Sequence, residues 1–436
     1  MTRDQRWGYR HRICDTWKKM RTENPAMEWL KLDSATELED MLIKTQNDFV
    51  SQMDLGEGIA LNEALRENLF MLLVSIMNQI PILLIGKPGC SKSLAMNVLQ
   101  SNLNGDVSSK EFFKSMPAVD VVAYQCSPLS TPEAIINAFN SARQSNIGNK
   151  RTIVCVLLDE VGLAEESPHL PLKVLHRELE DLQGIACVGI SNWALDAAKM
   201  SRCVTLYRPK PVVADLCITA EGMVASTGNV KGYLRSLSEA FFEIYSVQRK
   251  ADFWGMREFY SSVRVINSEL KAQVAEGKPA SLEPQLLMKT VQRNFGGRPL
   301  QEMENCIQGF FERMGMSYDT APRYSMTDLI RQNLEEPDAR HLMLLTKNNA
   351  ALRLLFESGL RDHTKAEVMF GSTFPNDQSD VFVAMNLQRI KSFMQQPISL
   401  VMVHCDSLYE SLYDLLNQHY MEYAGRRYVR IAHGSK

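Results

Sequence analysis

The chain has 436 residues, of which 45% are hydrophobic and 23% are charged. This length predicts about three domains of ordinary globular composition, with ample residues to bury a core. The net charge of -3 and the pI near 6.3 argue against a nucleic-acid partner, because nucleic-acid binding needs a basic face.

The N-terminal part of the chain leads into a loop of distinctive composition. Residues 1–59 are mixed and charged and are interpreted as an N-terminal extension or linker. Apolar residues recur at helical spacing from Leu61 to Met77, which predicts an amphipathic helix. Pro81 ends the helical pattern and opens an apolar strand. The segment from Pro81 to Ser93 reads PILLIGKPGCSKS, a buried strand that runs into a loop ending in Lys-Ser.

This loop matches the phosphate-binding pattern G-x-x-x-x-G-K-[ST], with Ser91 in the place of the second glycine. Backbone N–H groups at a helix N-terminus bind the phosphates of a nucleoside triphosphate. The ammonium of Lys92 is expected to reach the β- and γ-phosphates of ATP. The hydroxyl of Ser93 would ligate Mg²⁺. A chance match in a glycine-containing loop is the alternative. The residues assigned to nucleotide binding are Gly86, Lys87, Pro88, Gly89, Cys90, Ser91, Lys92, Ser93 and Leu94.

A second apolar strand ends in a carboxylate pair. Val119–Tyr124 predicts one strand, Thr131-Pro132 is typical of a helix start, and Thr152–Leu158 predicts a fully apolar strand followed by Asp159 and Glu160. Apolar strands suit the centre of a parallel sheet, whose carboxyl edge binds ligands. The pattern resembles a Walker B motif, in which Asp159 would hold Mg²⁺ and Glu160 would orient the attacking water. A solvated acidic turn is the alternative.

A third strand is predicted from Ile185 to Ile190, with Asn192 just beyond its end. This is the sensor 1 position of AAA+ ATPases, where Asn192 would hydrogen-bond the lytic water and the γ-phosphate. Ordinary turn chemistry is the alternative. Alternating strands and helices predict an α/β fold, with residues 60–210 forming a P-loop AAA+ core whose parallel sheet is covered on both faces.

An arginine follows the next short helix. The helix is predicted from Leu195 to Met200, and Arg202 precedes a strand from Val204 to Tyr207. Several AAA+ families place an arginine finger here, so Arg202 is the candidate that would act on a neighbouring module's nucleotide. A surface arginine in an ordinary ion pair is the alternative, and Arg208 is a weaker candidate.

Residues 211–335 show a helical pattern that suits an AAA+ lid. Within this region Gly296-Gly297-Arg298 is similar to the sensor 2 motif, in which Arg298 would reach the γ-phosphate of the same module. Arg293 is the second candidate. A glycine cap before a new helix explains the two glycines equally well.

Residues 336–436 begin another strand–loop–helix pattern. His341–Leu345 predicts the strand and Ala351–Phe356 the helix, while the loop between them has neither glycine nor Lys-Ser. A later apolar strand, Ile398–Val403, lacks a following Asp-Glu pair. We interpret the region as a partial, degenerate AAA+ module, and an unrelated α/β appendage is the alternative.

The cysteines and the apolar segments indicate in which cellular compartment the protein is expected. The nine cysteines form no C-x-x-C pair, so no zinc site is legible, and unpaired thiols fit a reducing, cytoplasmic compartment. The longest apolar segment, Leu69–Ile85, is interrupted by polar residues and by Pro81, and it is too short to span a bilayer comfortably. No transmembrane segment is therefore expected.

Several long segments resemble the mysterin family, giant proteins that join a ring of AAA+ modules to a ubiquitin-ligase region. The segments are IGKPGCSKSLA, LLDEVGLAEESPHLPLKVLH, GISNWALDAAKMSR and RNFGG. RHLMLLTKNNAALRLLF (Arg340–Phe356) and SLYDLLNQHY resemble the next, inactive module. The resemblance implies a fragment whose partners are adjacent AAA+ modules of a larger chain and, through regions absent here, the ubiquitin machinery. It also implies cytoplasmic residence and leaves lipid-droplet association open.

The expected activity is ATP hydrolysis that controls the conformation of a larger ubiquitin ligase. An ATP-binding regulatory scaffold with little hydrolysis is the alternative. A P-loop kinase is a third reading, against which the lid-like helices and the second module argue. Ligase activity is not expected in this chain, because the sequence lacks a cysteine/histidine RING signature.

Overall fold

The chain divides into two compact units, Met1–Leu282 and Glu283–Lys436. The predicted lid, 211–335, crosses this boundary. Arg340 lies outside the residues that can be described. The computed structural model describes residues 3–27, 31–56, 58–147, 151–224, 231–248, 253–319, 321–336, 339 and 341–431.

The first unit combines a central sheet with helices. Its described strands are β1 (Ile82–Ile85), β2 (Ala118–Gln125), β3 (Thr152–Asp159), β4 (Ala186–Ser191) and β5 (Val204–Tyr207). Its described helices are α1 (Arg3–Glu23), α2 (Ala35–Val50), α3 (Glu63–Met77), α4 (Lys92–Asn102), α5 (Glu111–Lys114), α6 (Pro132–Asn146), α7 (Leu175–Glu178), α8 (Ala197–Met200), α9 (Val213–Met223), α10 (Lys231–Val247) and α11 (Met256–Ala275).

The sheet of the first unit is parallel throughout, in the order β2-β3-β4-β1-β5. Successive residues of a strand point to opposite faces, so the apolar strands supply two cores. Leu84 and Val188 pack with α3 and α4 on one face. Leu83 and Val156 pack with α6 on the other. The predicted α/β core with both faces covered is confirmed.

Local sequence signals start the helices that border the sheet. The side chain of Asn62 accepts the backbone N–H of Leu65 and caps α3, and Thr131 caps α6 by accepting from Ala134. A proline at the first position of α6 removes one N–H that would have no helical partner. The strands and helices predicted in this unit therefore lie within a few residues of their predicted bounds, although α8 begins two residues later than expected.

The second unit is smaller and less regular. Its described strands are β6 (Ala366–Phe370), β7 (Ser399–Val403), β8 (Met421–Tyr423) and β9 (Arg426–Tyr428). β6 and β7 are parallel, whereas β8 and β9 form an antiparallel pair. Its described helices are α12 (Pro284–Asn294), α13 (Leu300–Met314), α14 (Met326–Glu335), α15 (Ala350–Glu357), α16 (Asp380–Phe393), α17 (Asp406–Tyr409) and α18 (Tyr413–Leu416).

The predicted strand His341–Leu345 is wrong, because these residues form no regular secondary structure and Leu345 is 86% exposed. In the first unit the corresponding strand, β1, pairs only with β4 and β5. β6 and β7 pair in parallel as β2 and β3 do, but no described strand of the second unit takes the places of β4 and β5. Backbone groups of an extended segment need such neighbours, so apolar residues alone do not form a strand.

Across the described residues, none of the helices combines the length and the apolar character needed to cross a membrane.

Candidate functional site

The carboxyl ends of three neighbouring strands carry the polar residues predicted from the sequence. Lys92 follows β1, Glu160 follows β3 and Asn192 follows β4. Because β4 lies between β1 and β3, Asn192 is placed between the other two residues. The sheet order therefore brings together side chains that lie up to a hundred positions apart in the sequence.

A continuous hydrogen-bonded chain joins these three side chains. The ammonium of Lys92 donates from Nζ to Oδ1 of Asn192 at 3.1 Å. The amide of Asn192 donates from Nδ2 to Oε2 of Glu160 at 2.6 Å. One amide thus contacts both the ammonium predicted to bind phosphate and the carboxylate predicted to polarise water.

Lys92 is enclosed by its own loop. Its Nζ also donates to the carbonyl oxygens of Gly86 at 2.5 Å and Lys87 at 3.2 Å. Burial lowers the pKa of Lys92, while the carboxylate of Glu160 acts in the opposite direction. The ammonium is therefore held at the base of the loop by three oxygen atoms of the protein.

Glu160 is partly buried, and burial raises the pKa of its carboxyl above the ordinary value. The hydrogen bond from Asn192 opposes that rise, as does the charge of Lys92. The backbone at Glu160 is left-handed (φ 52°), and its N–H donates to Oδ1 of Asp159 at 3.0 Å. The chain therefore turns sharply at the end of β3, between the two carboxylates.

The backbone of the phosphate loop explains why the motif favours glycine. Gly89 has φ +90°, and a Cβ there would lie 2.8 Å from Cβ of Met256 in α11. Ser91 is also left-handed, with φ 55° and ψ 27°, immediately before α4. A residue with a side chain pays about 1–2 kcal/mol in this region. Ser91 therefore fits the loop, but at a conformational cost that glycine would avoid.

The two oxygen donors predicted to hold Mg²⁺ are Ser93 and Asp159. Ser93 is exposed at the start of α4 and Asp159 is half-buried at the end of β3. One hydroxyl and one carboxylate suit a cation that keeps most of its waters. Within the described part of the chain, no cluster of three or more His, Cys, Asp or Glu side chains could hold a metal.

The other residues predicted to bind the nucleotide differ in exposure. Lys87 and Pro88 are exposed, Cys90 is buried and Leu94 is intermediate.

Arg257, in the first turn of α11, was missed by the sequence analysis. Its charge lowers the pKa of both Lys92 and Glu160, although burial is the larger influence on each. The guanidinium is therefore close to the hydrogen-bonded chain at the strand ends. In the sequence, Arg257 follows Gly255-Met256 within the region predicted as a helical lid. This pattern is less distinctive than the double glycine before Arg298.

Arg298 and Arg293 both lie in the second unit. Arg298, two residues before α13, forms a two-pronged ion pair with Glu302 in the first turn of that helix, at 2.9 and 3.1 Å. Arg293 pairs with Glu336. The sensor 2 role of Arg298 stays a prediction.

The two candidate fingers have different surroundings. Arg202 is half-exposed, donates to the carbonyl of Ala198 at 2.6 Å and pairs with Glu180 at 3.2 Å. Its role in trans stays a prediction. The side chain of Arg208 is 2% exposed and pairs with Glu67 at 2.5 Å. A side chain buried so deeply cannot reach a neighbouring module, so Arg208 does not fit a finger.

Arg208 instead supports the start of the phosphate loop. Its backbone N–H donates to the carbonyl of Ile85 at 2.7 Å. A Cβ added to Gly86 would lie 2.6 Å from Cβ of Arg208, so only glycine fits between them. Glu67 also accepts from Arg6 of α1 at 3.3 Å. The N-terminal extension is thus tied, through Glu67, to the residue that underlies the loop.

A small, open cleft lies beside the phosphate loop. Gly89 and Cys90 form one wall, and Leu216 of α9 and Tyr260 of α11 contribute to the other. Charged and polar side chains line it as well, among them Asp215 and Lys210. The lining is therefore more polar than that of a typical pocket for an apolar ligand.

The loop of the second unit keeps part of this backbone shape. Asn349 precedes α15 with φ 55° and ψ 22°, close to the values for Ser91 before α4. The next two residues are Ala350 and Ala351, where the first loop has Lys-Ser. The turn is retained, whereas the ammonium and hydroxyl are not.

Comparison with known proteins identifies the family. Residues 58–215 match the family model described as RNF213 AAA domain, and residues 331–436 match a second model with the same description. The chain belongs to the RNF213, or mysterin, family. It is 35% identical over 430 residues to E3 ubiquitin-protein ligase RNF213 of Homo sapiens, covering 92% of this chain and 8% of that protein.

A second member of the family gives the same result. E3 ubiquitin-protein ligase rnf213-beta of Danio rerio is 35% identical over 433 residues, covering 93% of this chain and 8% of that protein. The chain therefore spans about 8% of the length of the RNF213 relatives it matches.

Solved structures show only a partial likeness. A Thermotoga maritima RuvB structure is 12% identical with a TM-score of 0.34, covering 60% of this chain and 84% of that one. Rhizobiales Trip13 is 15% identical with a TM-score of 0.33, covering 60% of this chain and 79% of that one. Scores this low carry no argument about the site.

Proposed function

We propose that the module built around β1–β5 binds Mg-ATP and hydrolyses it. The observation that carries this proposal is the hydrogen-bonded chain Lys92–Asn192–Glu160 at the carboxyl edge of the sheet. The expected phosphate ligand and the expected water-polarising group are thereby joined through one amide. The RNF213 AAA family model over residues 58–215 supports nucleotide binding by this module.

Each residue has one task in the proposed reaction. Lys92 and the N–H groups of the phosphate loop neutralise the phosphate oxygens. Glu160 orients a water in line with the γ-phosphate and accepts its proton, and Asn192 holds Glu160 in place. Ser93 and Asp159 would hold Mg²⁺, which supplies charge neutralisation at the β- and γ-phosphate oxygens when bound.

The cleft beside the loop is the proposed place for the nucleobase. It starts at Gly89 and Cys90, so a base lying there would be joined directly to phosphates in the loop. Leu216 and Tyr260 line the cleft, and the ring of Tyr260 offers apolar surface to a flat base, whereas Leu216 is 1% exposed. Both side chains belong to helices that follow the sheet, so nucleotide binding would stabilise their position against the core.

Substitution of Glu160 by Gln tests hydrolysis. The amide can no longer accept the proton of the water but still fits the same space, so we expect retained ATP binding and a loss of turnover of at least about 100-fold. Lys92→Ala should instead lose binding. Glu166→Gln, an exposed neighbour in the same segment, is the matched control and should behave as the parent. Equal turnover by Glu160→Gln and the parent would show that Glu160 does not have the proposed role.

A regulatory scaffold that binds ATP with little hydrolysis is the second candidate function. Arg202 favours it, because in this chain the guanidinium is engaged by Glu180 and by the carbonyl of Ala198. Comparing Glu160→Gln with the parent inside a full-length family member separates the two functions. A scaffold predicts equal ligase output from both, whereas a hydrolysing module predicts different output.

The role within a larger protein is part of the same proposal. Relatives that match this chain are E3 ubiquitin-protein ligases, of which it spans about 8%. We propose that nucleotide state here controls the conformation of such a ligase through adjacent AAA+ modules, while other regions engage the ubiquitin machinery. Cytoplasmic residence, with association to lipid droplets, belongs to this proposal and is tested by fractionation of cells that express a tagged full-length protein.

A further inference from the structure

Two side chains outside the phosphate loop hold two successive carbonyl groups of the loop. The hydroxyl of Tyr260, on α11, donates to the carbonyl oxygen of Gly89 at 3.2 Å. The amide of Asn68, on α3, donates from Nδ2 to the carbonyl oxygen of Cys90 at 3.0 Å. The two donors come from helices that lie far apart in the sequence but converge on adjacent peptide units.

Holding these carbonyls also fixes the orientation of the N–H groups. In a planar trans peptide the C=O and N–H point in opposite directions. With the carbonyl of Gly89 turned to Tyr260, the N–H of Cys90 points into the loop, where it donates to the carbonyl of Lys87 at 3.3 Å. With the carbonyl of Cys90 turned to Asn68, the N–H of Ser91 points away from that side chain. The N–H of Ser91 and those that follow at the start of α4 are the groups expected to meet an anion.

The need for such support comes from Ser91. This residue is left-handed at φ 55°, a conformation that its side chain disfavours and that glycine adopts freely. In the absence of external contacts, the peptide units on either side of Ser91 would relax toward commoner conformations. The carbonyl held by Asn68 belongs to the peptide unit immediately before Ser91.

The surroundings of Asn68 indicate a role beyond packing. Its side chain is completely buried, and its Oδ1 has no hydrogen-bond partner. Burying an amide with half of its capacity unsatisfied is costly, whereas leucine of similar size would pack without that cost. The hydrogen bond from Nδ2 of Asn68 to the carbonyl of Cys90 therefore accounts for a polar residue at this buried position.

We propose that Asn68 and Tyr260 are positioning residues that hold the phosphate loop in its anion-binding shape and offset the strain at Ser91. The proposal rests on nucleotide binding by this loop. It also makes the loop responsive to α11, because displacement of that helix would release the Gly89 carbonyl. Arg257 lies on the same helix, so one movement of α11 would change both the loop and the charge beside it.

The decisive experiment combines loss of a contact with relief of strain in the full chain. Tyr260→Phe should weaken Mg-ATP binding, measured by calorimetry, by about 3- to 10-fold, the worth of one hydrogen bond. Adding Ser91→Gly should restore affinity, and the gain should exceed that from Ser91→Gly in the parent. Asn68→Leu should behave as Tyr260→Phe does. Tyr124→Phe, which removes a hydroxyl hydrogen bond to Ser130 at 3.0 Å, is the control and should leave affinity unchanged.

A measurement without nucleotide keeps this proposal separate from the proposed function. Amide hydrogen exchange at Ser91 and Lys92 in nucleotide-free protein should be faster in Tyr260→Phe than in the parent, and slower again with Ser91→Gly added. If the parent binds no Mg-ATP, the proposed function fails while the exchange result still stands. Unchanged exchange and affinity in both Tyr260→Phe and Asn68→Leu, or equal gains from Ser91→Gly in both backgrounds, would overturn the positioning role.

Discussion

Replacing Asn192 by Ala should shift the pH dependence of ATP hydrolysis. Glu160 must be ionised to accept a proton from water, so activity is lost as the pH falls through its pKa. Burial raises that pKa, and the hydrogen bond from Asn192 at 2.6 Å limits the rise. Without the amide, the ionised carboxylate loses a donor and its pKa rises further, so the acid limb of the profile moves to higher pH.

The size of the shift follows from the hydrogen bond that is lost. A hydrogen bond to a charged group is worth about 1.5–3 kcal/mol, and one pKa unit corresponds to about 1.4 kcal/mol. The acid limb should therefore move up by about one to two pH units. Lys92 cannot take over the role of Asn192 without leaving the carbonyls of Gly86 and Lys87, which hold its ammonium at 2.5 and 3.2 Å.

The assay is steady-state hydrolysis of Mg-ATP at saturating nucleotide across the pH range, with Glu160→Gln as the background to be subtracted. The position of the acid limb is the quantity of interest, because the maximum rate will also fall. Asn104→Ala removes an exposed asparagine and should leave the limb in place. If the acid limb stays at the parent pH in Asn192→Ala, or moves to lower pH, Asn192 does not stabilise the ionised carboxylate of Glu160 as proposed.

Three further substitutions test the other arginines. If the exposed Arg257 supplies its charge to the reacting phosphate, Arg257→Ala should lower kcat by about 100-fold, whereas an unchanged kcat would exclude that role. Arg208→Ala should lower the free energy of unfolding by about 1–3 kcal/mol in denaturant titrations, because Glu67 loses a buried charge-assisted hydrogen bond but keeps its pairing with Arg6. Arg202→Ala should leave the activity of this chain unchanged and reduce that of the full-length protein, and a loss in the chain alone would contradict a role in trans.

Sequence patterns predicted the separate parts of the site because each part directly follows an apolar strand. Lys92, Glu160 and Asn192 could be found in this way, since a strand end is visible in the sequence. Their contact could not be predicted, because it depends on β4 lying between β1 and β3, and sheet order is not chain order. Arg257 is close to Lys92 and Glu160 only because α11 returns to the loop.

The wrongly predicted strand at His341–Leu345 has a related cause. Its apolar residues were recognised correctly, but a strand of this fold forms against neighbours that come later in the chain. Propensity describes what a segment prefers, whereas strand formation depends on partners for its backbone groups. The helix that follows, α15, satisfies its own backbone and was predicted within one residue of its observed bounds.

The two loops of the chain allow backbone shape to be separated from charge. Asn349 and Ser91 have nearly the same left-handed conformation before a helix, but Ala350 and Ala351 replace the ammonium and the hydroxyl. A triphosphate placed on the second loop would lack the ammonium and the hydroxyl at the helix start and would meet only backbone dipoles and the exposed Lys347. We therefore expect a photoreactive ATP analogue to label peptides that contain residues 86–93 and not those that contain residues 346–351.

The comparison can be made within a single sample, because both loops belong to one chain and see the same concentration of analogue. Lys92→Ala should abolish labelling of the first loop, which shows that the ammonium and not the turn is decisive. Labelling of the second loop in the parent at a comparable yield would show that the backbone nest suffices. In that case the peptide groups alone would neutralise the phosphate charge, and the proposed role of Lys92 would be wrong.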